Sequence, residues 1–227
     1  WLPKLPNVSF EETLLSCLTK KPYGEQPGHA RFYYPKKYGY GELWLRMADR
    51  IFGNIEYEKD VKKLNYHTKT VTTKDGARYR AETIITTIPW LEFENVEGMP
   101  EDVRTSMDEL KFSSVQTEYH SEKLNTDAHW IYYPDKELDF HRILVRHNFC
   151  ENSRGYWTET NRDRIKDKKD GQFKFMNHYA YPLNTISKPG IMDKLLSWSK
   201  ERQVIGLGRW GEHNHYNSDV VVELAMN

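Results

Sequence analysis

Apolar and polar positions in the first 90 residues follow helical spacing first and strand-like spacing afterwards. Ser9, followed by two acids and an apolar stripe, predicts a short helix with a serine cap. A second helix is predicted over residues 43–52, where apolar side chains recur at i, i+1, i+4 and i+5. The Asp75-Gly76 pair lies between β-branched and aromatic residues and indicates a hairpin. The run 83–88 is almost continuously apolar or β-branched, as in a buried strand, so this region predicts an α/β layer.

The middle of the chain changes to short runs in which apolar and polar residues alternate. Such runs cover residues 115–119, 130–133 and 140–147, and they predict antiparallel strands. The mixed-charge segment 162–171 is typical of a solvated loop.

The last third of the chain combines both kinds of pattern. It predicts a strand over residues 173–181, a helix over 190–200 and a strand over 204–207. A glycine-rich turn, Gly208–Gly211, then leads to a final apolar helix that starts at Val220.

Composition narrows the class of protein. The chain has 227 residues, of which 38% are hydrophobic and 14% aromatic, so it can bury a sizeable core. Basic and acidic residues balance at 33 each, which argues against a protein that works by long-range attraction to nucleic acid. Cys17 and Cys150 form no zinc or disulfide pattern, which fits a reducing compartment. No apolar run is long enough for a membrane span and the N-terminus has no signal-peptide pattern, so we expect a cytoplasmic protein.

Four segments carry a resemblance to a known family. They are, in chain order, YPKKYGYGELWLRMADRI, NIEYEKDVKKLNYHTKTVTTKDG with TIITTIP, FHRILVRHNF, and HYAYPLNTI with GLGRWGEHNHYNSDVVVELA. Their order and spacing resemble the flavin-dependent UDP-galactopyranose mutases and, more loosely, the amine-oxidase-like FAD proteins. No G-x-G-x-x-G follows an N-terminal strand, so the chain is similar to the C-terminal portion of such a flavoprotein.

The resemblance implies a mixed fold, α/β and α+β. It divides the chain into a partial FAD-binding, Rossmann-like layer and a mainly antiparallel-sheet substrate domain. The segments expected from it are a helical N-terminal segment, an FAD-side α/β segment, a substrate-side sheet and an FAD-side C-terminal segment, at residues 1–30, 31–90, 91–185 and 186–227. The two FAD-side segments are expected to pack together, with the 204–207 strand close to the 83–88 strand.

The resemblance also implies which residues meet FAD. Val61 corresponds to a valine whose backbone meets the adenine, and Arg209 to an arginine that contacts the cofactor. Asn217, Ser218 and Asp219 precede the final helix, whose start offers N–H groups and a positive dipole end to the flavin. An alternative for Asp219 is a plain N-cap. FAD is expected in the complete protein, and this chain alone is expected to bind no flavin and to be inactive.

Three further residues are implied for the substrate. Arg142 corresponds to an arginine that binds the substrate diphosphate, and its planar donors suit phosphate oxygens. Tyr181 resembles a tyrosine that hydrogen-bonds a phosphate. Where the mutases place a tyrosine six residues after the arginine of the G-R-x-G turn this chain has His215, so Tyr216 is the nearest candidate. The open alternatives are a structural ion pair for Arg142 and simple packing for Tyr181.

The resemblance implies that the complete protein is an FAD-dependent isomerase of the intramolecular transferase type. It would interconvert UDP-galactopyranose and UDP-galactofuranose, nucleotide sugars used for cell-surface polysaccharide such as lipopolysaccharide. The alternatives are an FAD-dependent oxidase or desaturase and a non-catalytic remnant that binds nucleotide sugar. The cofactor carries the chemistry, so no catalytic side chain is assigned. The expected partner is a UDP-sugar, a homo-oligomer with a second copy of the chain stays open, and no nucleic acid is expected. His213 and His215 lack a completing ligand set, so no metal is expected.

Overall fold

The computed structural model describes residues 9–21, 32–166 and 173–227. Over these residues the fold contains three sheets and several helices, which confirms the mixed α/β and α+β class. Its first helix, α1 (Phe10–Thr19), begins with a capping box. Ser9 Oγ accepts from the Glu12 backbone N–H at 3.1 Å, and Glu12 Oε2 accepts from the Ser9 N–H at 3.0 Å. The helix predicted from Ser9 is therefore confirmed. Residues 1–8 and 22–30 of the expected N-terminal segment lie outside the described residues.

The second helix, α2 (Gly39–Asp49), is followed by a 3-10 turn at Phe52–Asn54 and the first sheet. That sheet contains β1 (Val61–Asn65), β2 (Thr70–Thr73), β3 (Arg78–Arg80) and β5 (Asn95–Glu97) in the order β3-β2-β1-β5. The predicted hairpin at Asp75-Gly76 joins β2 to β3. Gly76 has a φ of 88°, a left-handed conformation that glycine adopts without steric cost.

A second sheet joins distant parts of the chain. Strand β4 (Ile84–Thr86) pairs in parallel with β11 (Val204–Gly206), in the register Ile84 to Val204. The expected closeness of the 83–88 and 204–207 strands is therefore confirmed. The helix that precedes β11 is α5 (Lys188–Lys200), which matches the helix predicted over 190–200.

The third sheet is antiparallel throughout. It has the order β10-β6-β9-β8-β7, formed by β6 (Phe112–His120), β7 (Trp130–Tyr132), β8 (Arg142–Val145), β9 (Tyr156–Asn161) and β10 (Lys174–Pro182). The antiparallel strands predicted from the alternating runs are confirmed.

One predicted strand ends early, because the alternation predicted a strand through His147. Residues Arg146–Phe149 instead form a short helical turn, α4. The Asn148 side-chain amide donates to the carbonyls of Thr126 at 2.7 Å and Ala128 at 2.8 Å. These bonds hold α4 against the loop that precedes β7. Local alternation carries no information about such a distant tether.

The remaining elements are short or terminal. They are 3-10 turns at Trp90–Glu92 and Arg162–Arg164, α3 (Glu101–Asp108), α6 (Gly208–Gly211) and α7 (Ser218–Met226). The predicted glycine-rich turn is therefore a single helical turn, and the final helix begins two residues before Val220. The predicted loop at 162–171 opens with one 3-10 turn, and its residues 167–171 lie outside the described chain.

The main core lies between the first sheet and helices α3 and α5. Its buried members come from both sides: Leu64, Tyr66, Trp90, Phe93, Val96, Val103, Met107, Leu110, Ile191, Met192, Leu195 and Val204. The Trp90 indole N–H donates to the carbonyl of Gly211 at 2.8 Å, which anchors α6 to this core. Elements β5 and α3 fall within the predicted 91–185 segment, yet they pack here; the segment boundaries stay a prediction.

Candidate substrate and cofactor site

Arg142 lies on β8 directly opposite Glu159 of β9 in the antiparallel register. Its Nε donates to Glu159 Oε2 at 2.7 Å, and its Nη2 lies 2.5 Å from the same oxygen. The two side chains are only 19% and 11% exposed, so the ion pair is largely withdrawn from water. On the opposite face of β8, Ile143 and Val145 are buried. Burial of the hydrophobic face thus places the guanidinium on the other face of the sheet.

Two tyrosines complete the surroundings of Arg142. Its Nη2 donates to the Tyr181 hydroxyl at 3.1 Å, and its Nη1 donates to the Tyr132 hydroxyl at 3.2 Å. Burial acts to lower the pKa of Arg142, but the charge of Glu159 and the two tyrosines outweigh it and raise the pKa above its ordinary value. The guanidinium is therefore held as a fixed cation.

Tyr181, at the end of β10, contacts both Arg142 and two residues of the C-terminal segment. The His215 ring stacks on the Tyr181 ring with centroids 5.0 Å apart and an interplanar angle of 8°. The guanidinium carbon of Arg209 lies 5.5 Å from the centroid of the same ring. Two arginines from separate elements therefore converge on one tyrosine. We call Arg142, Tyr181, Arg209 and His215 the tyrosine cluster.

Arg209 also holds the loop that follows α6. Its Nε and Nη2 donate to the Tyr216 carbonyl at 3.0 and 2.7 Å, and its Nη1 reaches the Ala180 carbonyl at 3.5 Å. Tyr216 is thus joined to Arg209 through its backbone. The geometry gives Arg209 a structural role in positioning the loop, and its role toward FAD stays a prediction.

The predicted trio Asn217, Ser218 and Asp219 forms the start of α7. Asn217 is the N-cap residue, and its side chain makes no capping hydrogen bond. The alternative that made Asp219 the N-cap is therefore wrong, because helical backbone begins one residue earlier, at Ser218. The Ser218 hydroxyl shares a 2.6 Å hydrogen bond with that of Tyr40, which joins α7 to α2.

Val61, the residue expected at the adenine, lies on β1 of the first sheet. It pairs with Thr73, and the register of β1 with β2 shifts between Val61 and Lys63. Its side chain is partly buried and packs against the main core. Val61 is therefore in a different sheet from Arg142 and Tyr181, and its role toward the adenine stays a prediction.

The chain is similar in fold to several solved structures. The chain superimposes on a reduced UDP-galactopyranose mutase with a TM-score of 0.76 and 14% identity, covering 93% of this chain and 55% of the mutase. The chain has the fold of part of a UDP-galactopyranose mutase. It also resembles a CLA-producing fatty acid isomerase from P. acnes, with a TM-score of 0.61, 12% identity, and coverage of 82% of this chain and 50% of the isomerase.

The chain therefore spans about half the length of the solved structures that it matches. No protein-family model matches the chain, and no curated protein matches its sequence. At identities this low the likeness concerns the fold, because one fold hosts many functions. The function therefore depends on the residues of the site.

Several residues around Arg142 are not indicated by the sequence pattern. Glu159 and Tyr132 contact Arg142 from strands on either side, and only the strand register brings them together. Burial lowers the pKa of His141, the charge of Arg142 adds to this, and Glu159, 3.9 Å away, opposes it. His141 therefore contributes no charge near neutral pH.

No metal centre is found in the mutase-like fold over residues 9–21, 32–166 and 173–227, where no group of three or more histidine, cysteine or acidic side chains comes together. His213 is 2% exposed, and its Nε2 donates to the Lys111 carbonyl at 3.0 Å. His215 instead stacks on Tyr181.

In the same described ranges no helix is long and apolar enough to span a bilayer.

Proposed function

We propose that this chain is part of a flavin-dependent protein of the UDP-galactopyranose mutase type, in which Arg142 and Tyr181 bind the diphosphate of a UDP-sugar. One observation carries the proposal: the guanidinium groups of Arg142 and Arg209 converge on the Tyr181 ring and hydroxyl. The likeness to the mutase fold supports it. The complete protein would then interconvert UDP-galactopyranose and UDP-galactofuranose for surface polysaccharide.

The charge of the cluster suits a diphosphate. The tyrosine cluster contains two cations, Arg142 and Arg209, and Arg142 is paired with the neighbouring anion Glu159, so these three groups together carry a net charge of +1. The Tyr181 hydroxyl accepts a hydrogen bond from Arg142 and can donate its own proton to a phosphate oxygen. An incoming diphosphate would therefore meet a fixed cation and an oriented hydroxyl in a partly dehydrated place, where charge-assisted hydrogen bonds are strong.

The start of α7 suits the acceptor-rich edge of FAD. No side-chain cap occupies the N–H groups of its first turn, and the positive end of the helix dipole lies there. Asn217, Ser218 and Asp219 would hold that edge, while Arg209 holds the adjoining loop and the backbone of Val61 meets the adenine. Bound FAD, once reduced, would supply the nucleophile for the anomeric carbon of the sugar.

The proposal is tested by calorimetric titration of UDP into the 227-residue chain. Arg142→Met should weaken UDP binding by roughly ten- to a hundredfold, the loss of one charge-assisted contact. Glu159→Gln should bind UDP as tightly as the unchanged chain or more tightly, because it removes a negative charge beside the phosphates. Arg46→Met is the matched control, since Arg46 forms an exposed ion pair with Glu42 on α2.

Two outcomes would contradict the proposal. One is that the unchanged chain binds no UDP. The other is that Arg142→Met and Glu159→Gln weaken binding equally, which would make the ion pair a purely structural device. The oxidase or desaturase alternative, which gives Arg142 no substrate role, would then be favoured. Circular dichroism of each variant establishes that the fold is retained.

A further inference from the structure

The solvent-facing side of the first sheet carries two polar rows that run across its four strands. The cross-strand register aligns Arg78, Thr72, Lys63 and Asn95 in one row, and Arg80, Thr70, Asn65 and Glu97 in the next. The intervening row contains Leu64 and Val96, which are buried in the core. Alternation along the strands therefore places both polar rows on one face. We call this surface the basic sheet face.

Three cations of this face lack acidic partners. Within the described ranges, the side chains of Lys63, Arg78 and Arg80 make no ion pair or hydrogen bond, and all three are exposed. The one acid in the two rows, Glu97, accepts a 2.5 Å hydrogen bond from Asn65. Three cations and one anion leave a net charge of +2.

Cations elsewhere on the molecule are arranged differently. Lys59 lies 2.6 Å from Asp75, Lys194 lies 2.7 Å from Asp102, and Lys62 contacts both Asp60 and Glu92. Lys62 directly precedes Lys63 in the chain, yet among the described residues only Lys62 of the two forms ion pairs, with Asp60 and Glu92. The basic sheet face thus carries a local excess of positive charge on a protein whose formal net charge is zero.

The spacing of these cations defines the size of a matching anion. Arg78 and Arg80 are two residues apart on one strand, which separates their Cα atoms by about 7 Å. Lys63 is two strands away from Arg78, a separation of about 10 Å across the sheet. The rows border a groove of about 550 Å³, with the side chains of Thr70 and Thr72 between the cations. One monovalent anion could not reach all three charges, whereas a short chain of phosphates could.

We propose that the basic sheet face binds an oligophosphate group, at a site distinct from the tyrosine cluster on the third sheet. The two guanidinium groups would each engage two phosphate oxygens, Lys63 would meet the far end of the chain, and the threonine hydroxyls would donate between them. Because the face is exposed, binding weakens as salt rises.

Inorganic tripolyphosphate is the probe, titrated calorimetrically into the 227-residue chain at low ionic strength. The double variant Arg78→Gln with Arg80→Gln should bind it at least tenfold more weakly. The control variant, Arg46→Gln with Lys194→Gln, also removes two positive charges, but from ion pairs elsewhere on the molecule. It should bind tripolyphosphate as tightly as the unchanged chain. Arg142→Met removes the phosphate contact of the tyrosine cluster, so a binding event that persists in Arg142→Met and is weakened in the Arg78 and Arg80 variant belongs to the basic sheet face.

Two results would overturn the proposal: no binding of tripolyphosphate by the unchanged chain, or equal weakening in the two double variants. Thermal unfolding of both double variants shows whether the fold is intact. A second arm distinguishes the source of the phosphate. In this arm the chain is sedimented with vesicles that contain phosphatidylinositol phosphates. Binding to these vesicles that is lost in the Arg78 and Arg80 variant and kept in the control variant would assign the site to a lipid headgroup. Tripolyphosphate binding without vesicle binding assigns it to a soluble ligand.

Discussion

Arg142 and Glu159 should be coupled in their contributions to the free energy of unfolding. Arg142→Met keeps much of the apolar stem and removes the cation, which leaves Glu159 as an anion that is only 11% exposed. Breaking a buried pair in this way costs about 3 to 5 kcal/mol. Because both side chains retain some contact with water, we expect the low end, about 3 kcal/mol.

The reciprocal change should cost less. In Glu159→Gln the amide oxygen can still accept from Arg142 Nε, and the cation keeps its contacts with the Tyr181 and Tyr132 hydroxyls. We therefore expect a loss of about 1.5 kcal/mol, the value of a hydrogen bond to a charged group. The double variant has no uncompensated charge, so it should be about 1.5 kcal/mol more stable than the sum of the single losses predicts.

Urea unfolding at pH 7, followed by tryptophan fluorescence and far-UV circular dichroism, gives all three free energies. The slopes with urea should be unchanged, since the variants alter contacts and not the surface exposed on unfolding. Losses that add to within about 0.5 kcal/mol would refute the reasoning, because they would mean that the two groups do not feel each other's charge.

Two further predictions concern the C-terminal segment. Gly206→Ala should destabilise the chain by about 3 kcal/mol, because the new methyl group would overlap the Gly211 carbonyl oxygen and lie 2.9 Å from its carbon. Urea unfolding beside Gly53→Ala, a position with open space, measures it; equal stability of the two variants would contradict it. Burial, aided by the charge of Lys188 and opposed by the hydrogen bond to Lys111, lowers the pKa of His213, so the unfolded chain binds its proton first. Stability should therefore be full above about pH 6.5 and fall as the pH drops below it. The fall should be shallower in His213→Asn, a residue that tolerates the left-handed backbone at this position, and an identical pH dependence would disprove the role of His213.

Local features were predictable because their causes lie within a few residues. The capping box of α1 needs only Ser9 and Glu12, three positions apart. The hairpin needs only the Asp75-Gly76 pair and its β-branched flanks. The strand over 83–88 was also predictable from its β-branched residues, but the prediction that it is buried was wrong for one face, because Ile85 is 59% exposed in β4.

Features that depend on where a helix or strand stops were less predictable. The last helix begins at Ser218 with Asn217 as its cap, although the apolar run starts at Val220. The strand of Arg142 ends at Val145, because Asn148 is bonded to a loop twenty residues earlier in the chain. Neither boundary follows from hydrophobic spacing, since polar residues and tertiary hydrogen bonds set both.

The sequence by itself therefore determined the elements, their periodicity and the residues that merit attention at a site. Only the tertiary structure decided the partners of those residues. Glu159 opposes Arg142 because of one strand register, and a shift of a single residue would have turned either side chain to the other face. Arg209 donates to the carbonyls of Tyr216 and Ala180 because the contact between Trp90 and Gly211 packs α6 against the core. Strand register and packing arise from contacts between distant parts of the chain, which no local pattern encodes.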